Sequence, residues 1–152
     1  VGPFYGCYIV RPRNRLGIDE QRPRDRYLDD VIEALGGVVI EYAGMRKCCG
    51  FPIITMNKEA SLKQAGRHLG DAVDAEADCL VTPCPLCHLN LDLQQPLAEV
   101  VVGRKLEMPV LHLPQLVGLA LGLEPKELGL NRHVVRPTSV IDWSTSVVGA
   151  AA

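Results

Sequence analysis

The sequence predicts an α/β domain in which a parallel sheet of roughly four strands is covered by helices. Three observations carry that expectation. Apolar strand-like runs alternate with helical periodicities, giving the order β-α-β-α-β-α-β-α. Glycine and proline fall where such elements should stop or start. The 152 residues are enough for one domain with a real core and too few for two comfortable ones.

Phe4–Val10 reads as a first buried strand, because Tyr5, Cys7, Tyr8, Ile9 and Val10 suit a pleated surface. A loop rich in arginine and proline follows. Tyr27, Leu28, Val31, Ile32 and Leu35 then recur at helical spacing, and Gly36-Gly37 ends that helix. Val38–Tyr42 is a second strand. Asn57 is placed to cap a helix with Glu59 in its first turn, and Leu62, Ala65, Leu69, Ala72 and Val73 form its apolar stripe. Cys79–Thr82 is a third strand. Pro85 opens the next helix, with Leu86, Leu89, Leu93 and Leu97 along it, and Pro96 should kink or end it. Pro109–Leu113 is a fourth strand and Gln115–Gly122 a helix, with one further turn at Glu124–Leu128. No periodicity follows Arg136, so the domain is drawn as residues 1–130 and the remainder, 131–152, as a loosely ordered C-terminal tail. The whole is expected to be a Rossmann-like, three-layer arrangement. Ligands of such sheets gather outside the carboxyl ends of the strands.

Composition narrows the function. Hydrophobic residues make up 47% and charged residues 22%, as in an ordinary globular domain. A net charge of −2, a pI near 6.1 and 5% aromatic residues give no footing for nucleic acid. The most apolar stretch, Pro109–Leu123, is broken by His112, Pro114 and Gln115, so no transmembrane span is expected. No basic end followed by a long apolar run opens the chain, which agrees with a reducing, cytoplasmic setting where thiols persist. A strand so close to Val1 reads as a piece of a longer polypeptide.

Five of the six cysteines stand in three groups: Cys7, Cys48-Cys49-Gly50 and Cys84-Pro85-Leu86-Cys87. Cys48/Cys49 and Cys84/Cys87 each follow a strand, and Cys7 lies in the second half of the first. The topology therefore brings three sequence-distant thiol groups to one sheet edge. Adjacent cysteines project in different directions, which suits different irons of one cluster better than one tetrahedral ion. Cys84 and Cys87 open a helix, where backbone N–H groups and the positive helix end favour thiolate. Alone, that pair could equally be a thioredoxin-like redox pair or half of a structural zinc site. Gly50 suits a turn close to a bulky inorganic core. Cys79, inside a strand, reads as a small buried hydrophobe. His88 could hydrogen-bond a cluster sulfur or deliver a proton, or simply cap its helix. His112 reads as structural, and His68 and His133 as surface residues. Of the six arginines Arg11, Arg13, Arg15, Arg22, Arg24 and Arg26, Arg11 is the one nearest Cys7 and so the candidate for an anionic substrate or acidic partner.

The pattern closely resembles the cysteine-rich CCG domain found in the B subunit of heterodisulfide reductase. The likeness covers roughly residues 3–130: Tyr5-Gly6-Cys7 with Arg11-Pro12, Cys48-Cys49-Gly50, Cys84-Pro-Leu-Cys-His88 with Asn90-Leu91-Asp92, and Leu113-Pro-Gln-Leu-Val-Gly-Leu-Ala120. It implies a non-cubane 4Fe-4S cluster held by Cys7, Cys48, Cys49, Cys84 and Cys87. It also implies a place in a multi-subunit redox complex with a 4Fe-4S ferredoxin-like subunit and a flavoprotein subunit, reducing a small-molecule disulfide of the CoM-S-S-CoB type. In that family two such domains stand in tandem. This chain holds one, most like the second, so a preceding CCG domain of the same polypeptide is an expected partner and the single domain is not expected to act alone. Related domains occur in succinate, glycolate and lactate dehydrogenase complexes, which implies attachment at a membrane through partners. A zinc-binding interaction module is the contrasting reading.

Overall fold

The computed structural model describes residues 1–11 and 26–150, the last five by their backbone alone. Three parallel strands, β1 (Gly2–Pro3), β2 (Leu80–Thr82) and β3 (Val110–His112), lie in the order β1-β2-β3. Gly2 pairs with Leu80, and Leu80 in turn with Val110. The helices are α1 (Cys7–Val10), α2 (Tyr27–Ala34), α3 (Lys58–Asp74), α4 (Pro85–His88), α5 (Gln95–Val102), α6 (Leu113–Ala120) and α7 (Thr138–Ala150). The core joins Phe4, Tyr5, Leu80, Val81, Val110 and Leu111 of the sheet region to Ile32, Leu69, Leu91 and Ala98 of the helices around it.

Two of the expected strands change character. The first is short, because Gly6 (φ +70°) turns the chain just after Tyr5, and Cys7–Val10 forms one helical turn instead of strand. The pairing begun by Gly2 still reaches Phe4, whose N–H donates to the Val81 carbonyl. So short a β1 leaves little for Val38–Tyr42 to pair with. That segment makes one reciprocal contact, Val1 N–H to Val38 O and Ile40 N–H to Val1 O, and forms no fourth strand.

The helices follow their sequence signals. Asn57 caps α3 by accepting from the Ala60 N–H at 3.0 Å. Gly36 stops α2 with φ +82°. Pro96 neither kinks nor ends its helix. A π-helical stretch over Leu89–Leu93 absorbs the irregularity first, and Pro96 falls in the opening turn of α5, where its missing N–H costs no bond. Buried Gln95 then holds Met108, donating to its carbonyl and accepting its N–H, which delivers the chain into β3.

The C-terminal stretch is more ordered than expected. Asp92 accepts from the N–H groups of Val134 and Val135, and α7 packs on α6 with Val140 buried. Its helical signal is weak because serine, threonine and valine are poor helix formers, and Ser144 and Thr145 bond back to carbonyls of their own helix. Among the described residues, no helix is long and apolar enough to cross a membrane.

Candidate metal centre

Cys7 follows β1, Cys84 and Cys87 follow β2, and the irregular loop after Val38–Tyr42 brings Cys48 and Cys49 to them. Cys7 opens α1, Cys84 precedes α4, and Cys87 lies in α4. The thiols form a continuous string. Cys7 hydrogen-bonds Cys48, Cys48 meets Cys49, Cys49 bonds Cys87, and Cys87 meets Cys84. Gly6 closes the ring, since a Cβ on it would stand 2.9 Å from Cys87 Sγ. Cys49 and Cys87 are buried, whereas Cys7, Cys48 and Cys84 are half-exposed at the rim.

Electrostatics inside the ring follow from proximity. The Cys87 thiol donates to Cys49, and this bond, helped by the Phe51 N–H, brings Cys49 down to about 7. The same shared proton, with burial, pushes Cys87 up. Burial and then the neighbouring Cys48 raise Cys7. Cys79 stands apart from the ring: it is fully buried beside β2, and burial pushes its thiol up to about 12, as suits an inert hydrophobe.

The Cys-Cys-Gly loop is held by side chains that sequence reasoning overlooks. His68 Nε2 meets the Cys48 carbonyl at 3.1 Å, Asn90 Nδ2 donates to the Cys49 carbonyl at 2.7 Å, and Ser61 Oγ donates to the Gly50 carbonyl at 2.9 Å. Three successive carbonyls are thus each engaged by a buried polar group. With them held, the loop's N–H groups reach sulfur: Gly50 N lies 3.5 Å from Cys48 Sγ, and the Phe51 N–H bonds Cys49. Gly50 has φ +91°, and a Cβ there would stand 2.9 Å from the Ser61 carbonyl oxygen, so no larger residue fits. His68 is only 6% exposed, against its reading as a surface residue, and burial lowers its pKa and keeps it neutral. A signal was available: Ser61 and His68 lie on the apolar stripe of α3, among Leu62, Ala65 and Leu69, where a polar side chain must find a partner.

Beneath Cys7, the Tyr5 hydroxyl donates to Asp29 Oδ1 at 2.7 Å and accepts the Asp29 N–H, while Arg46 lies 3.6 Å from Asp29 Oδ2 and over the Tyr5 ring. This network ties the end of β1 to α2 and to the loop that leads into Cys48. Burial, then the bond to Asp29, pushes the Tyr5 hydroxyl well above its ordinary range.

The two non-cysteine candidates do not join the ring. Arg11 is exposed and its N–H caps α1 on the Cys7 carbonyl. Arg13, Arg15, Arg22 and Arg24 lie outside the described residues. His88 Nε2 meets the Val110 carbonyl at 3.0 Å, and its ring packs edge-on against His133 at 4.9 Å. Burial and the neighbouring His133 hold its pKa down. His133, 8% exposed and not a surface residue, has its Nε2 2.9 Å from Gln115 Nε2. Gln115 accepts the His112 N–H at Oε1 and donates to the Leu128 carbonyl, so its orientation is fixed and it donates to His133. The His133 proton therefore sits on Nδ1. Among the described residues, His88, Asp92 and His133 form the one set of three metal-binding side chains whose ligand atoms all lie within 4.8 Å of one another. With its proton on Nδ1 and its Nε2 engaged, His133 has no free lone pair to offer there. His112 is structural, meeting the Pro83 carbonyl at 3.2 Å.

The donor set fits a polynuclear cluster. Five soft thiols adjoin one another, Gly6 keeps a Cβ away from Cys87 Sγ, and the Gly50 and Phe51 amides reach sulfur.

The profile of the cysteine-rich domain family CCG matches residues 1–92. The chain is 40% identical over 140 residues to the membrane anchor subunit of the 8-methylmenaquinol:fumarate reductase of Wolinella succinogenes, covering 92% of this chain and 49% of that protein. It is 32% identical over 138 residues to the B subunit of the ferredoxin/F(420)H(2)-dependent CoB-CoM heterodisulfide reductase of Methanosarcina acetivorans (90% and 46%). It is 33% identical over 139 residues to the B subunit of the ferredoxin:CoB-CoM heterodisulfide reductase of Methanosarcina mazei (90% and 46%). The chain spans about half the length of these curated relatives.

Proposed function

The chain belongs to the cysteine-rich CCG domain family, and on that premise we propose that it is an iron–sulfur redox subunit of a heterodisulfide reductase-like complex. Cys7, Cys48, Cys49, Cys84 and Cys87 hold a non-cubane 4Fe-4S cluster in this reading. What carries it is the unbroken string of five thiols from three separate segments. Bound there, the cluster supplies one-electron uptake and delivery.

The chain's own residues hold the site and set its access. Buried Cys49 and Cys87 anchor its inner side, and half-exposed Cys7, Cys48 and Cys84 face the rim from which an outside molecule can approach. Amides of Gly50 and Phe51 offset negative charge on the sulfurs. The reaction class is reduction of a small-molecule disulfide: two electrons from a partner protein and two protons convert one S–S bond into two thiols. Ferredoxin-like and flavoprotein subunits supply the electrons, and a second CCG domain completes the active unit. The domain is drawn as residues 1–130. Its setting is cytoplasmic, attached at the membrane through partners.

A second reading is favoured by the 40% identity to the fumarate reductase subunit: electron transfer within a succinate or fumarate-type dehydrogenase complex. One experiment separates the two. The native complex carrying this chain is reduced, and reoxidation of its iron–sulfur signals is followed after adding either CoM-S-S-CoB or fumarate. Rapid reoxidation by the heterodisulfide supports the first reading, and reoxidation by fumarate alone replaces it with the second.

A further inference from the structure

We propose that His68, Asn90 and Ser61 are positioning residues that set the reduction potential of the cluster, by taking the three successive carbonyls of Cys48-Cys49-Gly50 and so aiming that loop's N–H groups at sulfur. The inference rests on the reading that these cysteines hold an iron–sulfur cluster. It concerns residues that touch no sulfur themselves.

The three side chains come from two helical segments, α3 and the π-helical stretch, and converge on one loop. Asn90 Nδ2 also lies 3.4 Å from Ser61 Oγ, so the clamp is linked internally. A peptide unit is planar, so fixing a carbonyl fixes the direction of the N–H across the same bond. Holding the Cys48 carbonyl orients the Cys49 N–H, holding that of Cys49 orients the Gly50 N–H, and holding that of Gly50 orients the Phe51 N–H. The Gly50 N–H is found at Cys48 sulfur, and the Cys49 and Phe51 N–H groups at Cys49 sulfur. An N–H aimed at sulfur stabilises the more negative, reduced form and raises the potential. All three clamping side chains are buried.

The test uses reconstituted protein, read by iron and sulfide content, electron paramagnetic resonance and redox titration. His68→Leu, Asn90→Ala and Ser61→Ala each remove one clamp, Ser61→Ala being the mildest should the others fold poorly. His68→Gln returns an N–H donor near the position of Nε2. Tyr42→Phe is the control: it removes the buried hydroxyl bond to the Pro3 carbonyl, which involves neither the Cys48–Gly50 loop nor its three clamps. The expected result is a more negative midpoint potential and an altered resonance signature in each clamp variant at unchanged iron content. His68→Gln should return towards the parent, and Tyr42→Phe should lose thermal stability without moving the potential. Clamp variants that keep the parent potential, or a Tyr42→Phe that shifts as far as they do, overturn the proposal. A parent protein that takes up no iron and sulfide overturns the reading beneath it instead.

Discussion

The two segments that carry paired cysteines are held in opposite ways. Cys84 and Cys87 are placed by local backbone: Pro85 starts the turn, the His88 N–H returns to the Cys84 carbonyl, and Thr82 Oγ1 accepts the Cys84 N–H at 3.3 Å. Cys48 and Cys49 lie on an irregular loop with no helix of their own, and depend on side chains 11, 20 and 41 residues away in sequence. A helix start is a self-contained device. An irregular loop that must present several sulfurs is precise only if its carbonyls are fixed from outside.

That contrast can be broken most forcefully at Gly50. Gly50→Ala must adopt a strained φ and meets the Ser61 carbonyl oxygen, so a stability loss of about 2–4 kcal/mol is expected, with loss of cluster loading. Thermal or urea unfolding measures it, and a variant as stable as the parent would show that the loop is not rigidly held. Asn90→Ala comes next: it strands the buried Cys49 carbonyl and should cost about 1–3 kcal/mol in the same assay. The smallest effect is expected on the other segment. Thr82→Val removes only the long bond to the Cys84 N–H, and about 0.5–1 kcal/mol with cluster loading intact is predicted. If Thr82→Val proved as damaging as Gly50→Ala, the two segments would not differ as described.

The same contrast explains what is legible in the sequence. The Asn57 cap, the Gly36 stop and the Pro85 helix start are local signals, and each acts where the sequence puts it. The expected placement of the thiols holds for Cys84 and Cys87, which follow β2, whereas Cys48 and Cys49 follow a segment that forms no strand and Cys7 lies in a helix. Cys7 reads as strand because Tyr5, Tyr8, Ile9 and Val10 are good strand formers, but the positive φ of Gly6 overrides them. His68 and His133 read wrongly as surface residues because their partners, the Cys48 carbonyl and Gln115, come from distant segments. α7 escapes sequence reasoning because its residues have weak helical propensity and its order comes from packing on α6.

The central claim, that five thiols jointly hold one polynuclear iron–sulfur centre, is tested most directly by metal and inorganic sulfide analysis of the anaerobically reconstituted chain beside its Cys7→Ser variant. The account predicts iron and sulfide in equal amounts in the parent and a marked loss of both in the variant. Stoichiometric zinc without sulfide, unchanged by Cys7→Ser, would contradict it.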